Sequence, residues 1–146
     1  MNMTDLAPVV IFTYNRPWHT QQTIEALQKN ELASESELFI FSDAPKNNDE
    51  VENVRCVRKY IKTIDGFKKI KIIERDENFG LANSVINGVT EVVNEYGSII
   101  VLEDDLITSP YFLNFKNKNL SLHKNNKKVG SITGYIPYIQ NLPDLF

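Results

Sequence analysis

The sequence predicts an α/β fold built on a mainly parallel sheet, and three observations carry that reading. Short apolar runs alternate with longer amphipathic segments, the arrangement that packs helices onto the faces of a parallel sheet. The first run, Val9-Val10-Ile11-Phe12, is apolar at every position, as a strand covered on both faces must be. Each run also ends abruptly in polar or turn-forming residues, which marks strands followed by loops rather than one continuous helix.

Taken in order, Pro8-Val9-Val10-Ile11-Phe12-Thr13 is read as a central strand, broken by Tyr14-Asn15-Arg16-Pro17. Pro17 suits the first turn of the next helix, where a missing N–H costs nothing. That helix is expected to reach about residue 29 with Ile24 and Leu27 inward. Leu38-Phe39-Ile40-Phe41-Ser42 is a second strand, stopped by Asp43-Ala44-Pro45. Residues 48–64 place Val51, Val54, Val57 or Arg58, and Ile61 at helical spacing, and Asp65-Gly66 closes the segment as a turn. Residues 70–73 form a shorter strand flanked by lysines, which places it near a sheet edge. Asn78-Phe79-Gly80 leads into a helix whose Ala82, Val85, Ile86, Val89, Val92, Val93 and Tyr96 make one apolar stripe, ended by Gly97. Ser98-Ile99-Ile100-Val101-Leu102 is the fourth strand and runs into Glu103-Asp104-Asp105. Ser109-Pro110 reads as the cap and first turn of a helix reaching His123, and residues 129–133 as a fifth strand. From Gly134 the pattern dissolves into Tyr135, Pro137, Tyr138, Pro143 and Phe146. The expectation is one domain over residues 1–146, incomplete at its C-terminus.

Composition narrows the function classes. Net charge is −3, from 16 basic and 19 acidic residues, so no broad positive field favours a nucleic-acid partner. Lys68-Lys69 and the basic stretch 124–128 read as solvated faces. The lone Cys56 excludes an intrachain disulfide and fits a reducing compartment, in a structural or incidental role. The longest apolar stretches, 9–12 and 99–102, are far too short to cross a bilayer, and the start lacks the features of a signal peptide. The chain therefore reads as cytoplasmic and without a transmembrane segment, any peripheral attachment to a membrane falling to another element. His19 and His123 have no metal-spaced partner and are read as surface residues.

In an open parallel sheet the ligand crevice lies beyond the carboxyl ends of the strands. Those ends deliver Thr13-Tyr14-Asn15-Arg16, Asp43, Arg75-Asp76-Glu77-Asn78 and Glu103-Asp104-Asp105 to one edge. Three adjacent carboxylates after a buried strand repel one another unless a cation compensates. Hard oxygen ligands at a pocket mouth suit Mg²⁺ or Mn²⁺; the other reading is a solvated acidic turn. Because consecutive strand residues point to opposite sides, one carboxylate is expected to bind the ion, one to face a nucleotide and one to hold the backbone. Arg16 can pair with a phosphate or with a carboxylate across the crevice. Asp43 can accept a hydrogen bond from a base or ribose, or simply belong to a turn. Asn78-Phe79-Gly80 precedes a helix N-terminus, whose free N–H groups favour an anion. Tyr14 and Trp18 can stack on a base, with packing at the helix start the other use of Trp18. Neither a dinucleotide-binding glycine fingerprint nor a P-loop is present in the sequence.

Together these segments resemble the GT-A fold glycosyltransferases, of the broad family 2 type and its neighbour the N-acetylglucosaminyltransferase I family. The segment 9–17 is similar to the opening strand and nucleotide loop, and Phe41-Ser42-Asp43 to the strand whose terminal Asp meets the uracil or ribose. Asn78-Phe79-Gly80-Leu81-Ala82-Asn83 resembles the Asn-x-Gly segment before the long helix of the fold. Val101-Leu102-Glu103-Asp104-Asp105-Leu106, followed by Ser109-Pro110-Tyr111-Phe112-Leu113, resembles the Glu-Asp-Asp form of the DxD motif. The segment 129–135 is similar to a sheet strand and Gly-Tyr pair of bacterial sugar transferases.

The resemblance implies a Rossmann-like nucleotide-diphospho-sugar transferase fold with its C-terminal half absent. It implies nucleotide-sugar contacts from Thr13, Tyr14, Asn15, Arg16, Asp43, Asn78, Gly80, Asn83 and Asp104, with Asp105 as the direct ligand of Mn²⁺ or Mg²⁺. Asn78 stands where the N-acetylglucosaminyltransferase I family carries histidine, a departure that touches the donor sugar. The implied activity is inverting transfer from a nucleoside-diphosphate sugar, a UDP-sugar, to a glycan or lipid-linked acceptor hydroxyl in cell-surface polysaccharide or glycoconjugate synthesis. The general base of such a transfer lies beyond the matching segments, so no catalytic residue is assigned, and Asp144 is too near the end to serve. A non-catalytic nucleotide-sugar-binding module is the alternative. Nucleotidyl transfer shares the fold, but its Gly-rich basic loop is missing from 13–18.

Overall fold

A computed structural model describes residues 6–134. Four strands form one sheet: β1 (Val9–Thr13), β2 (Glu37–Ser42), β3 (Lys69–Glu74) and β4 (Ile100–Glu103), in the order β3-β2-β1-β4. Every pairing is parallel, with Val10 opposite both Phe39 and Val101. β1 is central and fully buried and β3 lies at an edge, both as the apolar patterns require.

The helices α1 (Pro17–Gln28), α2 (Val51–Ile61), α3 (Gly80–Tyr96) and α4 (Phe112–His123) cover the sheet. The chain steps from β1 to β3 in one direction and then returns across β1 to β4. Right-handed crossovers therefore put α1 and α2 on one face and α3 on the other. The side chains agree. Val9, Ile11, Leu38, Ile40, Ile100 and Leu102 pack with Ile24, Leu27, Val57, Ile61 and Leu113 on one face. Val10, Phe12, Phe39 and Phe41 pack with Val92 on the other, where Val85, Val89 and Tyr96 also contribute. Burying a side chain of this size contributes about 1.5–3 kcal/mol, so these two layers carry most of the stability of the fold. The reversal between β1 and β4 is the switch point at which such sheets open a crevice.

Three sequence expectations are corrected. The buried face of α3 is Ser84, Gly88 and Val92, while Ala82 is exposed and Ile86 is 61% exposed. The cause is Gly88: a Cβ there would lie 2.7 Å from Phe12 Cε1 and 2.9 Å from Cζ. The helix turns its smallest residue to the sheet because only that residue permits the approach. Residues 129–133 are irregular rather than a strand, since the Ile132 carbonyl accepts from Lys116 Nζ at 2.5 Å instead of joining a ladder. Ser109 does not cap α4 with its side chain. Its carbonyl accepts the Phe112 N–H at 3.1 Å, and the Leu113 N–H is capped by Asn30 Oδ1 from the end of α1 at 3.0 Å. Tyr135 and all that follows it, Asp144 included, lie outside the described residues.

Candidate nucleotide site at the switch point

A cavity of about 340 Å³ opens at the carboxyl end of the sheet, above the β1–β4 reversal. Thr13, Tyr14, Asn15 and Arg16 from the loop after β1 form one side. Asp43 and Lys46 after β2, and Asn78, Gly80, Leu81 and Ser84 around the start of α3, form the other. Phe12 and Phe41, stacked at 5.4 Å between centroids, supply an apolar floor, and Asp104 stands at the β4 side.

Asp43 is buried and accepts three backbone hydrogen bonds. Its Oδ1 accepts the N–H groups of Ala44 at 3.0 Å and Phe79 at 2.9 Å, and Oδ2 accepts the Gly80 N–H at 2.9 Å. An anion at the α3 N-terminus is thus supplied in part by the protein itself, Asp43 taking the Phe79 and Gly80 N–H groups of its first turn. Gly80 sits at φ +71°, a conformation that a side chain would strain. Asn78 Nδ2 donates to the Ala44 carbonyl at 2.6 Å, tying the same two loops. Asn83 is exposed, donates to the Phe79 carbonyl at 3.0 Å and does not line the cavity.

The loop after β1 is held by a residue that the motifs did not indicate. Glu50, in the short turn before α2, accepts a short hydrogen bond from the Tyr14 hydroxyl and one from Asn15 Nδ2 at 3.0 Å. The Lys46 N–H donates to the Tyr14 hydroxyl at 2.9 Å. Burial, and then the hydrogen bond to Glu50, raise the Tyr14 pKa above the ordinary value. Trp18 is 67% exposed, its ring in a T-shaped arrangement with that of His19, so most of it is not used in packing the start of α1.

Arg16 spans the acidic pair. One terminal nitrogen contacts Asp104 at short range and the other reaches Asp105 Oδ2 at 3.1 Å. Burial opposes this cation, but hydrogen bonds and charge from both aspartates outweigh it and hold the Arg16 pKa above normal. The expectation that consecutive carboxylates diverge is corrected here. β4 ends at Glu103, and Asp104 and Asp105 lie in the turn beyond it, so both converge on one guanidinium. Asp104 is buried against the cavity, and Asp105 and Glu103 are exposed.

No group of three potential ligands occurs among the described residues. Two aspartates suffice for Mg²⁺ or Mn²⁺, which take one or two carboxylates and fill the remaining positions with water and phosphate oxygens. In this structure both carboxylates are paired with the Arg16 guanidinium.

Arg58 was equally hidden in the sequence. Its guanidinium donates to the carbonyls of Ser42, Asp43 and Arg75, at 3.3, 3.3 and 2.7 Å, and so binds the ends of β2 and β3 together. The Arg75 guanidinium in turn lies over the rings of Phe41 and Phe79, at 5.2 and 4.8 Å.

No helix among the described residues is long and apolar enough to cross a membrane. Among curated proteins, none matches the chain closely enough to count as a relative. Two solved structures of S. aureus TarS, one of residues 1–349, are similar in fold. TM-scores are 0.56 for the 1–349 structure and 0.57 for the other, each at 15% identity and over 80% of this chain. The matched part is 32% of the first structure and 20% of the second, so this chain spans a third or less of either. The Rossmann-like sheet and its flanking helices are those of the GT-A fold, as the sequence predicts. The model of "Glycosyl transferase family 2" matches residues 9–115, a stretch that holds β1 through β4, Arg16, Asp43 and the acidic pair. The chain belongs to glycosyl transferase family 2.

Proposed function

We propose that this chain is the donor-binding part of a divalent-metal-dependent glycosyltransferase acting on a nucleoside-diphosphate sugar, a UDP-sugar. The acceptor is a hydroxyl of a glycan or lipid-linked molecule, the transfer inverts the anomeric centre, and the setting is cytoplasmic synthesis of a cell-surface polysaccharide or glycoconjugate. One observation carries the reading: Arg16, Asp104 and Asp105 meet at the mouth of a cavity with an aromatic floor. That mouth offers a cation position and a phosphate-binding cation side by side, next to a slot for a flat ring.

Asp105 would hold Mn²⁺ or Mg²⁺, with Asp104 beside it facing the ribose. Such an ion, when bound, offsets charge on the departing nucleoside diphosphate. Arg16 would leave the carboxylates for a phosphate, a planar bidentate partner of the same charge. Glu50 fixes Tyr14 and Asn15, which shape the wall on the nucleotide side. Asp43 fixes the opposite wall through α3. The general base that activates the acceptor is not assigned to any described residue.

Calorimetry on the chain tests this reading. UDP is expected to bind only with Mn²⁺ or Mg²⁺ present, and Asp105→Ala to abolish that binding. Metal-independent binding of full strength in Asp105→Ala would remove the metal assignment.

A further inference from the structure

The cavity wall carries four buried polar side chains: Thr13, Asp43, Ser84 and Asp104. Three of them are engaged within the protein. Thr13 Oγ1 donates to the Phe41 carbonyl at 3.4 Å, Asp43 accepts backbone N–H groups on both oxygens, and Asp104 holds Arg16. Ser84 is 6% exposed, and its hydroxyl is buried without a hydrogen-bond partner. A serine inside a helix ordinarily returns its hydroxyl to the carbonyl four residues earlier, and Ser84 does not. A buried hydroxyl without a partner is a cost to the folded state that a hydrogen bond from a ligand or a water relieves.

The surroundings define that partner. Ser84 lies one turn into α3, on the same face as Gly88, and lines the cavity beside Leu81 and the Phe12–Phe41 floor. A ligand group admitted there meets the apolar side chains of Leu81, Phe12 and Phe41, and the Ser84 hydroxyl, able to donate and to accept, once the hydroxyl turns toward the cavity. This combination matches a heteroaromatic ring with polar edge atoms better than a phosphate, which would be drawn to the cations Arg16 and Lys46. We propose that Ser84 is a specificity-determining residue whose hydroxyl makes a hydrogen bond to the polar edge of the nucleotide base. The inference rests on the reading of the cavity as a nucleoside-diphosphate site. A change of χ1 is enough to bring a serine hydroxyl from one staggered position to another, so the group needs no backbone movement to serve.

The test compares Ser84→Ala with wild type by calorimetry in Mn²⁺, using UDP, CDP, ADP and GDP, with inorganic pyrophosphate as the baseless probe. Thermal unfolding of each free protein serves as the control for folding. The variant is expected to bind the preferred nucleoside diphosphate about five- to tenfold more weakly, the effect of one hydrogen bond. Pyrophosphate affinity is expected to be unchanged, and the free variant to unfold at the same temperature as wild type or higher. Wild-type binding of a nucleoside diphosphate with no change in Ser84→Ala overturns the role of Ser84 and leaves the nucleotide reading standing. Equal weakening toward pyrophosphate also overturns it, because the hydroxyl would then not be reading the base. Failure of wild type to bind any of the four nucleotides overturns the nucleotide reading and this inference with it.

Discussion

The carboxylate of Asp43 at the end of β2 caps the helix that begins at Gly80, accepting its N–H at 2.9 Å. With the Phe79 N–H on its other oxygen, one side chain fixes the angle at which α3 enters the site. The site is therefore built first by internal hydrogen bonds, on which any ligand contacts are superimposed.

Asp43→Ala is expected to destabilise the fold by about 2–3 kcal/mol, since it removes a charge-assisted cap and leaves buried N–H groups unpaired. Asp43→Asn, which retains one acceptor oxygen, is expected to cost less. Denaturant unfolding monitored by circular dichroism gives both values.

Gly88→Ala places a methyl group against Phe12 at 2.7 Å, and that ring is itself stacked on Phe41. Alanine gains about 1 kcal/mol of helix propensity over glycine, but overpacking of a filled core costs about 1–3 kcal/mol. The net expectation is a loss of up to about 2 kcal/mol in chemical denaturation. A larger loss of UDP affinity should accompany it, because Phe12 is the cavity floor.

Arg16→Met is expected to move two affinities in opposite directions. Mn²⁺ alone should bind more tightly, because its competitor for Asp104 and Asp105 is gone. UDP in the presence of Mn²⁺ should bind about tenfold or more weakly, as loss of a charge-assisted hydrogen bond implies. Titration calorimetry with each ligand separates the two effects.

Tyr14→Phe and Glu50→Ala are expected to be non-additive. Each breaks the same short hydrogen bond, so the double variant should be more stable than the sum predicts by about 1 kcal/mol. A double-mutant cycle in urea measures that coupling.

At alkaline pH a different tyrosine is expected to act. Burial, and then the hydrogen bond to Glu37, push Tyr96 up to about 12. A folded-state pKa raised above the ordinary value of 10 stabilises fully below pH 10, and that stability is lost as pH rises toward about 12. Tyr96→Phe should therefore reduce the fall in unfolding free energy between pH 9.5 and pH 11.5, roughly the span of this shift.

The strands were legible because a buried parallel strand must be apolar throughout, and β1, β2 and β4 are nearly so. The acidic pair was legible because adjacent carboxylates after such a strand have a physical cost. The face of α3 was misread because hydrophobicity marks Ile86, whereas close approach at Gly88 sets the rotation, and a missing side chain leaves no hydropathy signal. Residues 129–133 carry β-branched side chains, yet a strand exists only with a partner, and Lys116 takes the Ile132 carbonyl instead. Glu50 and Ser84 could not be found by spacing, since each matters only through what the fold brings beside it. A serine four residues before a helical glycine was the one available hint of a close-packed face.

β4 is the shortest strand of the sheet, four residues long, and lies at its border among the described residues, paired with β1. The two aspartates thus hang from the element with the least ladder to retain it. Local opening of β4 would disperse the acidic pair while β1, β2 and β3 stayed folded. A ligand bridging Arg16 to Asp104 and Asp105 would close that opening, stitching the border strand to the centre of the sheet. Amide exchange should record it: Ile100 to Leu102 exchange sooner than Val10 to Phe12 in the free chain, and the gap narrows when the site is filled.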